Sequence, residues 1–234
     1  MSRLSASSPP ERRVRAILRR LRAAYPGARC SLDFTTPWEL LVATILSAQC
    51  TDERVNMVTP GLFRQYPDAQ AFADADEGEI AKAVFQTGFH NQKARSLRGA
   101  AVAVLERHDG RVPRKTEQLV RLPGVGRKTA AVVSGNAFGR REGIAVDTHV
   151  GRLSRRLGLT TETDPERVER ELMAIVPRPA WVEWSHLLIW HGRAICLSRS
   201  PRCEECVLLD LCPEGQSRVG PAKQRRTTRL RPGA

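Results

Sequence analysis

A chain of 234 residues is long enough to bury one or two hydrophobic cores without a disulfide framework. Its 38 lysines and arginines against 25 aspartates and glutamates leave a net charge of +13, which favours an acidic polymer such as nucleic acid over a neutral metabolite. Most of that excess sits at the ends, +6 over residues 1–25 and +5 over residues 213–234, so charge alone proves little.

Apolar residues recur at helical spacing along nearly the whole chain and strand-like alternation is nearly absent, so the expected class is all-α, with about ten helices. Pro37 opens a helix whose apolar stripe includes Leu40, Leu41, Ile45 and Ala48. Gly88 ends a later one, Asp109-Gly110 ends another, and Asp164-Pro165-Glu166 starts one carrying Val168, Leu172 and Ile175. The polar turn Gly139-Arg140-Arg141-Glu142-Gly143 is suited to carry the chain between two helical lobes. Residues 216–234 are expected to form a basic, flexible tail. No run approaches the ~20 apolar residues of a membrane span and the arginine-rich start lacks a secretory apolar core, so a cytoplasmic protein with no membrane partner is expected.

Leu122-Pro123-Gly124-Val125-Gly126-Arg127-Lys128 lies between a short helix and a longer apolar one. Two glycines in three residues permit a tight turn with positive φ. The turn's N–H groups, with the free donors at the start of the next helix, then face outward and can hold a phosphate oxygen. This is a helix-hairpin-helix pattern, with Leu122, Gly124, Val125 and Gly126 as its DNA-binding residues; it grips backbone and does not choose a sequence. Lys128 falls at the start of the second helix, where the dipole and Arg127 disfavour an ammonium. A neutral amine is a nucleophile, but a lysine that only touches phosphate fits the same residues. Asp147, before the amphipathic run Val150–Leu157, reads as a helix N-cap. A carboxylate there is also suited to move protons and stabilise a developing sugar cation.

Cys196, Cys203, Cys206 and Cys212 form C-x6-C-x2-C-x5-C, four thiols within 17 residues. Structural zinc usually takes two tight pairs, whereas an iron–sulfur cluster tolerates wider, unequal loops, so the spacing favours iron–sulfur and leaves zinc open. Arg199 and Arg202 lie in the first loop, where ligation at both ends would hold them for phosphate. Cys30 and Cys50 read as small buried hydrophobes.

Together these motifs, with Leu46-Ser47-Ala48-Gln49-Cys50-Thr51-Asp52 upstream, resemble the endonuclease III family of DNA glycosylases over residues 12–215. The resemblance implies a central helical domain over 31–138, with the hairpin at 116–138, and a cluster domain built from 1–30 and 139–215. It implies a bifunctional base-excision enzyme that removes oxidised pyrimidines and cuts 3′ to the abasic site by β-elimination. Lys128 matches the nucleophile, Asp147 the catalytic carboxylate, and the four cysteines the ligands of a 4Fe-4S cluster. Gln49 resembles the side chain that fills the gap left by the extruded base, Arg193 joins the DNA contacts, and Phe89 aligns with an apolar wedge. The family often has leucine at that position, and a phenylalanine there fits core as well as wedge. His149 and His191 are assigned supporting roles. Mismatch adenine glycosylases share the hairpin and cluster but usually lack the lysine and use a glutamate on the early helix, where Val42–Ala48 offers no carboxylate. The implied partner is double-stranded DNA with damaged bases or abasic sites, bound by a monomer.

Overall fold

The computed structural model describes residues 4–220, and among them there is no β-strand. In chain order the α-helices are α1 (Pro10–Ala24), α2 (Pro37–Leu46), α3 (Asp52–Gln65), α4 (Ala69–Asp74), α5 (Glu77–Ala83) and α6 (His90–His108). There follow α7 (Thr116–Leu119), α8 (Arg127–Phe138), α9 (Thr148–Arg156), α10 (Pro165–Ile175) and α11 (Trp181–Ala194). The described part divides into two compact units, residues 30–142 and residues 4–29 with 143–220. The chain passes from one to the other within the polar turn after α8.

In the unit of residues 30–142, α2 is the central element. Thr36 and Glu39 form a capping box, Pro37 occupies the first turn, and the rest of the helix is apolar on all sides. A helix hydrophobic all round is stable only when covered on all sides. Leu40, Leu41, Val42, Ala43 and Leu46 are accordingly fully buried, with α3, α6 and α8 packed around them. α6 carries a narrower stripe of Leu97, Ala100 and Val104. It ends at Asp109, which takes the left-handed conformation (φ 52°) and returns the next N–H to Val104 O.

Glu142 ties the start of α7 to the turn that follows α8. One carboxylate oxygen accepts the Thr116 N–H at the start of α7 (2.8 Å), and the other accepts Arg140 Nε (2.6 Å). Burial alone pushes this carboxyl up, but those two donors outweigh it and hold it below its ordinary value of 4.5. A lowered folded value means that the contribution is complete above about pH 4.5 and is lost as pH falls through the folded value. Glu142→Gln is therefore expected to cost about 1 kcal/mol near neutrality, the carboxylate being partly exposed to solvent. The gap from the parent should close in acid, as read by melting midpoints from pH 7 down to about 3.

The second unit buries α1 through Val14, Ile17, Leu18 and Leu21, at three- and four-residue spacing, against α10 and α11. α11 adds the fully buried Trp184 and packs on α9. Arg13 lies buried among carbonyls, donating to Leu157 O, Gly158 O (2.8 Å) and Leu211 O (2.8 Å). One guanidinium thus joins the end of α9 to the cysteine-rich segment. Residues 213–220 are helical and Val219 is buried, so the folded unit takes in the first part of the stretch read as tail. The rest of that stretch, 221–234, lies outside the described residues.

Candidate active site and nucleic-acid interface

The hairpin between α7 and α8 closes on a hydrogen bond from Val125 N–H to Leu122 O (3.1 Å), with Leu122 and Val125 buried as its apolar base. Their side chains anchor the turn from below, so any contact these two make with a ligand is through backbone. Gly124 sits at φ 74°, and a Cβ there would lie 2.5 Å from Ser96 Cβ on α6. Gly126 is the N-cap of α8, with no side-chain cap, an ordinary φ of −84° and open space where a Cβ would stand. The first N–H groups of α8 have no intrahelical acceptor and face that space. Lys128, the second residue of α8, is exposed, and its Nζ makes no hydrogen bond or ion pair among the described residues.

The two glycines predict opposite outcomes. Gly124→Ala should destabilise the fold by about 1–2 kcal/mol or more, because the strained φ and the Ser96 contact must both yield. Gly126→Ala should cost less than about 1 kcal/mol. It should nevertheless weaken DNA binding about tenfold, since its methyl occupies the approach of a phosphate to the helix end. Melting and salt-dependent binding, measured on both variants, check the contrast.

Two neighbouring loops of the same unit carry Gln49 and Phe89. Three non-glycine residues have positive φ among the described residues, and these are two of them, at 52° and 48°. A bulky side chain held there stores strain, which persists where the surroundings fix it and collects at functional sites. Gln49 is exposed, and Phe89 is 60% exposed. Phe89 is therefore a surface ring, the core being closed without it. Beside it, the Phe85 and His90 rings meet at a tilt of 50° with centroids 4.8 Å apart. Cys30 and Cys50 are half-buried against this unit's core.

In the other unit Asp147 caps α9, its Oδ1 accepting the Val150 N–H at 2.8 Å. Within the unit its Oδ2 takes no hydrogen bond, which leaves one carboxylate oxygen for chemistry. His149 lies 3.2 Å from Arg152 through Nδ1. Buried His191 bonds Tyr25 at Nδ1 (2.9 Å) and Cys206 Sγ at Nε2 (3.3 Å); burial lowers its pKa to about 4, so it is neutral.

Cys196, Cys203, Cys206 and Cys212 line one cavity, partly open to solvent. Among the described residues no three His, Cys, Asp or Glu side chains close on one ion-sized position. Four thiols around a space fit a body larger than one tetrahedral ion. Burial pushes the Cys206 thiol up to about 12 and Cys212 to about 11, so their thiolates need strongly positive partners, which the iron ions of a cluster provide. The donor set fits an iron–sulfur group. Arg156, which the spacing of cysteines does not reveal, donates to Leu197 O (2.7 Å), Ser198 O (2.6 Å) and Cys196 Sγ (3.4 Å). Arg152 donates to Cys196 O (3.0 Å). These two residues fix the first cysteine loop, on which Arg199 and Arg202 stand exposed; Arg193 is exposed at the end of α11.

The family model for HhH-GPD superfamily base excision DNA repair proteins matches residues 42–178, and that for the iron–sulfur binding domain of endonuclease III matches residues 196–212. Endonuclease III of Synechocystis sp. is 54% identical over 92% of this chain and 99% of its own length. The chain belongs to the endonuclease III family. Family relatives include Endonuclease III of Escherichia coli K12, 40% identical over 84% of this chain and 92% of the relative. A non-covalent Endonuclease III–DNA complex superposes with a TM-score of 0.85 at 40% identity, covering 89% of this chain and 98% of the other. A trapped Endonuclease III–DNA covalent intermediate does so with the same score and identity, covering 90% and 99%. As an endonuclease III family member the protein is a DNA-binding enzyme of base excision repair, a glycosylase with AP lyase activity and an iron–sulfur cofactor. No helix among the described residues is long and apolar enough to cross a membrane.

Proposed function

We propose that this enzyme excises oxidised pyrimidines from double-stranded DNA, and opens the strand at abasic sites, with Lys128 as nucleophile and Asp147 as catalytic carboxylate. The observation that carries the reading is an unpartnered, exposed amine one residue into the helix whose N-terminus forms the hairpin's phosphate grip. The hairpin holds the backbone beside the lesion. C1′ is inaccessible in a stacked duplex, so the damaged nucleotide must leave the stack, at a cost of a few kcal/mol that is lowest for a damaged base. Gln49 and Phe89 enter the space it leaves.

The neutral Lys128 amine attacks C1′. The N–C1′ bond forms, the glycosidic bond breaks, and the base leaves with the bonding pair and takes a proton from water. Asp147 Oδ2 stabilises the positive charge that develops on the sugar and takes the proton released by the amine. Ring opening gives a Schiff base, which makes the C2′ proton acidic. Its removal expels the 3′ phosphate, and hydrolysis frees the enzyme. Held by Cys196, Cys203, Cys206 and Cys212, a 4Fe-4S cluster supplies four metal–thiolate bonds that cross-link the C-terminal loop. Arg193, Arg199 and Arg202 then serve phosphates flanking the lesion. The protein acts as a monomer on cytoplasmic, nucleoid DNA.

Borohydride trapping tests the reading. Incubation with a thymine glycol duplex or an abasic duplex, followed by reduction, should give a covalent protein–DNA band that vanishes in Lys128→Ala. A band of undiminished strength in that variant would overturn it.

A further inference from the structure

Lys93, in the first turn of α6, is a lysine only 5% exposed. Its Nζ donates to Leu46 O (2.8 Å) and to Thr87 O (2.7 Å), and its backbone N–H donates to Phe89 O (3.0 Å). Leu46 ends α2, three residues before Gln49. Thr87 precedes Gly88 and Phe89. One buried residue therefore holds the last carbonyl before the first loop and both carbonyls that bracket the bend of the second. A buried ammonium is costly without acceptors, and burial lowers its pKa, so a lysine kept on the apolar stripe of Leu97, Ala100 and Val104 calls for a purpose beyond packing. The strain at Gln49 and Phe89 needs an anchor of this kind, because a positive φ at a bulky residue relaxes when its flanking carbonyls are released.

We propose that Lys93 is a positioning residue that fixes the Gln49 and Phe89 loops relative to each other, so that the two side chains enter the opened duplex as one preset unit. The inference rests on the reading of Gln49 and Phe89 as the inserting residues. A rigid pair spares the ordering cost that two independent loops would meet when the base is extruded. The benefit falls on the step that opens the duplex and not on the chemistry at C1′. A nearby contact supports the same coupling: Arg54 on α3, just past the Gln49 loop, donates to Gln86 Oε1 (3.2 Å), just before the Phe89 loop.

The test uses the full chain with its cluster and compares single-turnover excision of thymine glycol from a fully paired duplex and from an unpaired bubble. Rates are normalised to the folded, cluster-bearing fraction. Lys93→Met, which keeps the length and removes the donors, should slow excision from the paired duplex about tenfold or more, and from the bubble by no more than about twofold. Lys93→Arg, which retains donors, should recover part of the paired-duplex rate. Equal losses on both substrates, or no loss on the paired one, would overturn the proposal. Should Lys93→Met not fold, the cycle of Gln49→Ala, Phe89→Ala and their double variant in the parent chain decides. Losses well short of multiplicative are expected, and full independence overturns the proposal. Single variants at 49 and 89 that leave paired-duplex excision unchanged would remove the insertion reading itself. Clear losses there with an unaffected Lys93→Met would remove only the clamp.

Discussion

Lys128→Ala should abolish strand cleavage and covalent trapping and slow base removal by at least about a thousandfold, while leaving the protein as stable as the parent. The two halves of that expectation have separate physical grounds. On the proposed mechanism the amine supplies both the bond that replaces the glycosidic one and the Schiff base on which β-elimination depends, so no partial function should survive its loss at the lyase step. Water can still attack a strained C1′, which leaves a slow residual excision. Stability, by contrast, owes this side chain nothing, since it is exposed and its Nζ has no partner among the described residues. An exposed alanine early in a helix changes folding by no more than about 0.5 kcal/mol. Affinity for a duplex carrying a non-cleavable abasic analogue should likewise stay within a few-fold, because the proposed grip on phosphate uses backbone N–H groups. Single-turnover excision, incision of an abasic duplex, melting and analogue binding, measured on one preparation, separate these outcomes. Strand cutting at the parent rate would remove Lys128 from the chemistry.

How much of this was legible in the amino-acid sequence followed from how locally each feature is determined. The all-α class, the start of α2 at Pro37, the stop at Asp109 and the start of α10 at Asp164 depend on caps and periodicity within a few residues, and these can be read directly. Hairpin glycines and cysteine spacing are local in the same sense. Phe89 could not be decided that way, because an aromatic ring suits a core and a wedge equally. Its φ of 48° and its exposure come from the tertiary setting of the loop. Lys93 and Arg156 escaped for the reason that their acceptors lie far along the chain, Leu46 being 47 residues from one and Leu197 41 residues from the other. A charged residue on an otherwise apolar helical stripe was the available sign for Lys93. Nothing comparable marked Arg156 among the arginines of α9.

Asp147 offers a case in which architecture and chemistry can be taken apart by the choice of replacement. Its Oδ1 caps α9 through Val150 N–H, and its Oδ2 is the oxygen assigned to proton transfer and charge stabilisation. Asparagine is as good an N-cap as aspartate, since its amide oxygen accepts the same bond. Asp147→Asn should therefore melt within about 0.5 kcal/mol of the parent. It should also lose excision by about a hundredfold to a thousandfold, because a neutral amide neither accepts a proton nor offsets a developing positive charge. Asp147→Ala removes the cap as well and should add a stability loss of about 1 kcal/mol to a similar loss of rate. The bland alternative, a residue that only caps its helix, predicts the reverse ordering: Asn near parental activity and Ala impaired in proportion to its melting. A single-turnover rate measured beside the melting midpoint for the two variants distinguishes the cases, and an active, stable Asp147→Asn enzyme would leave Asp147 with the cap alone.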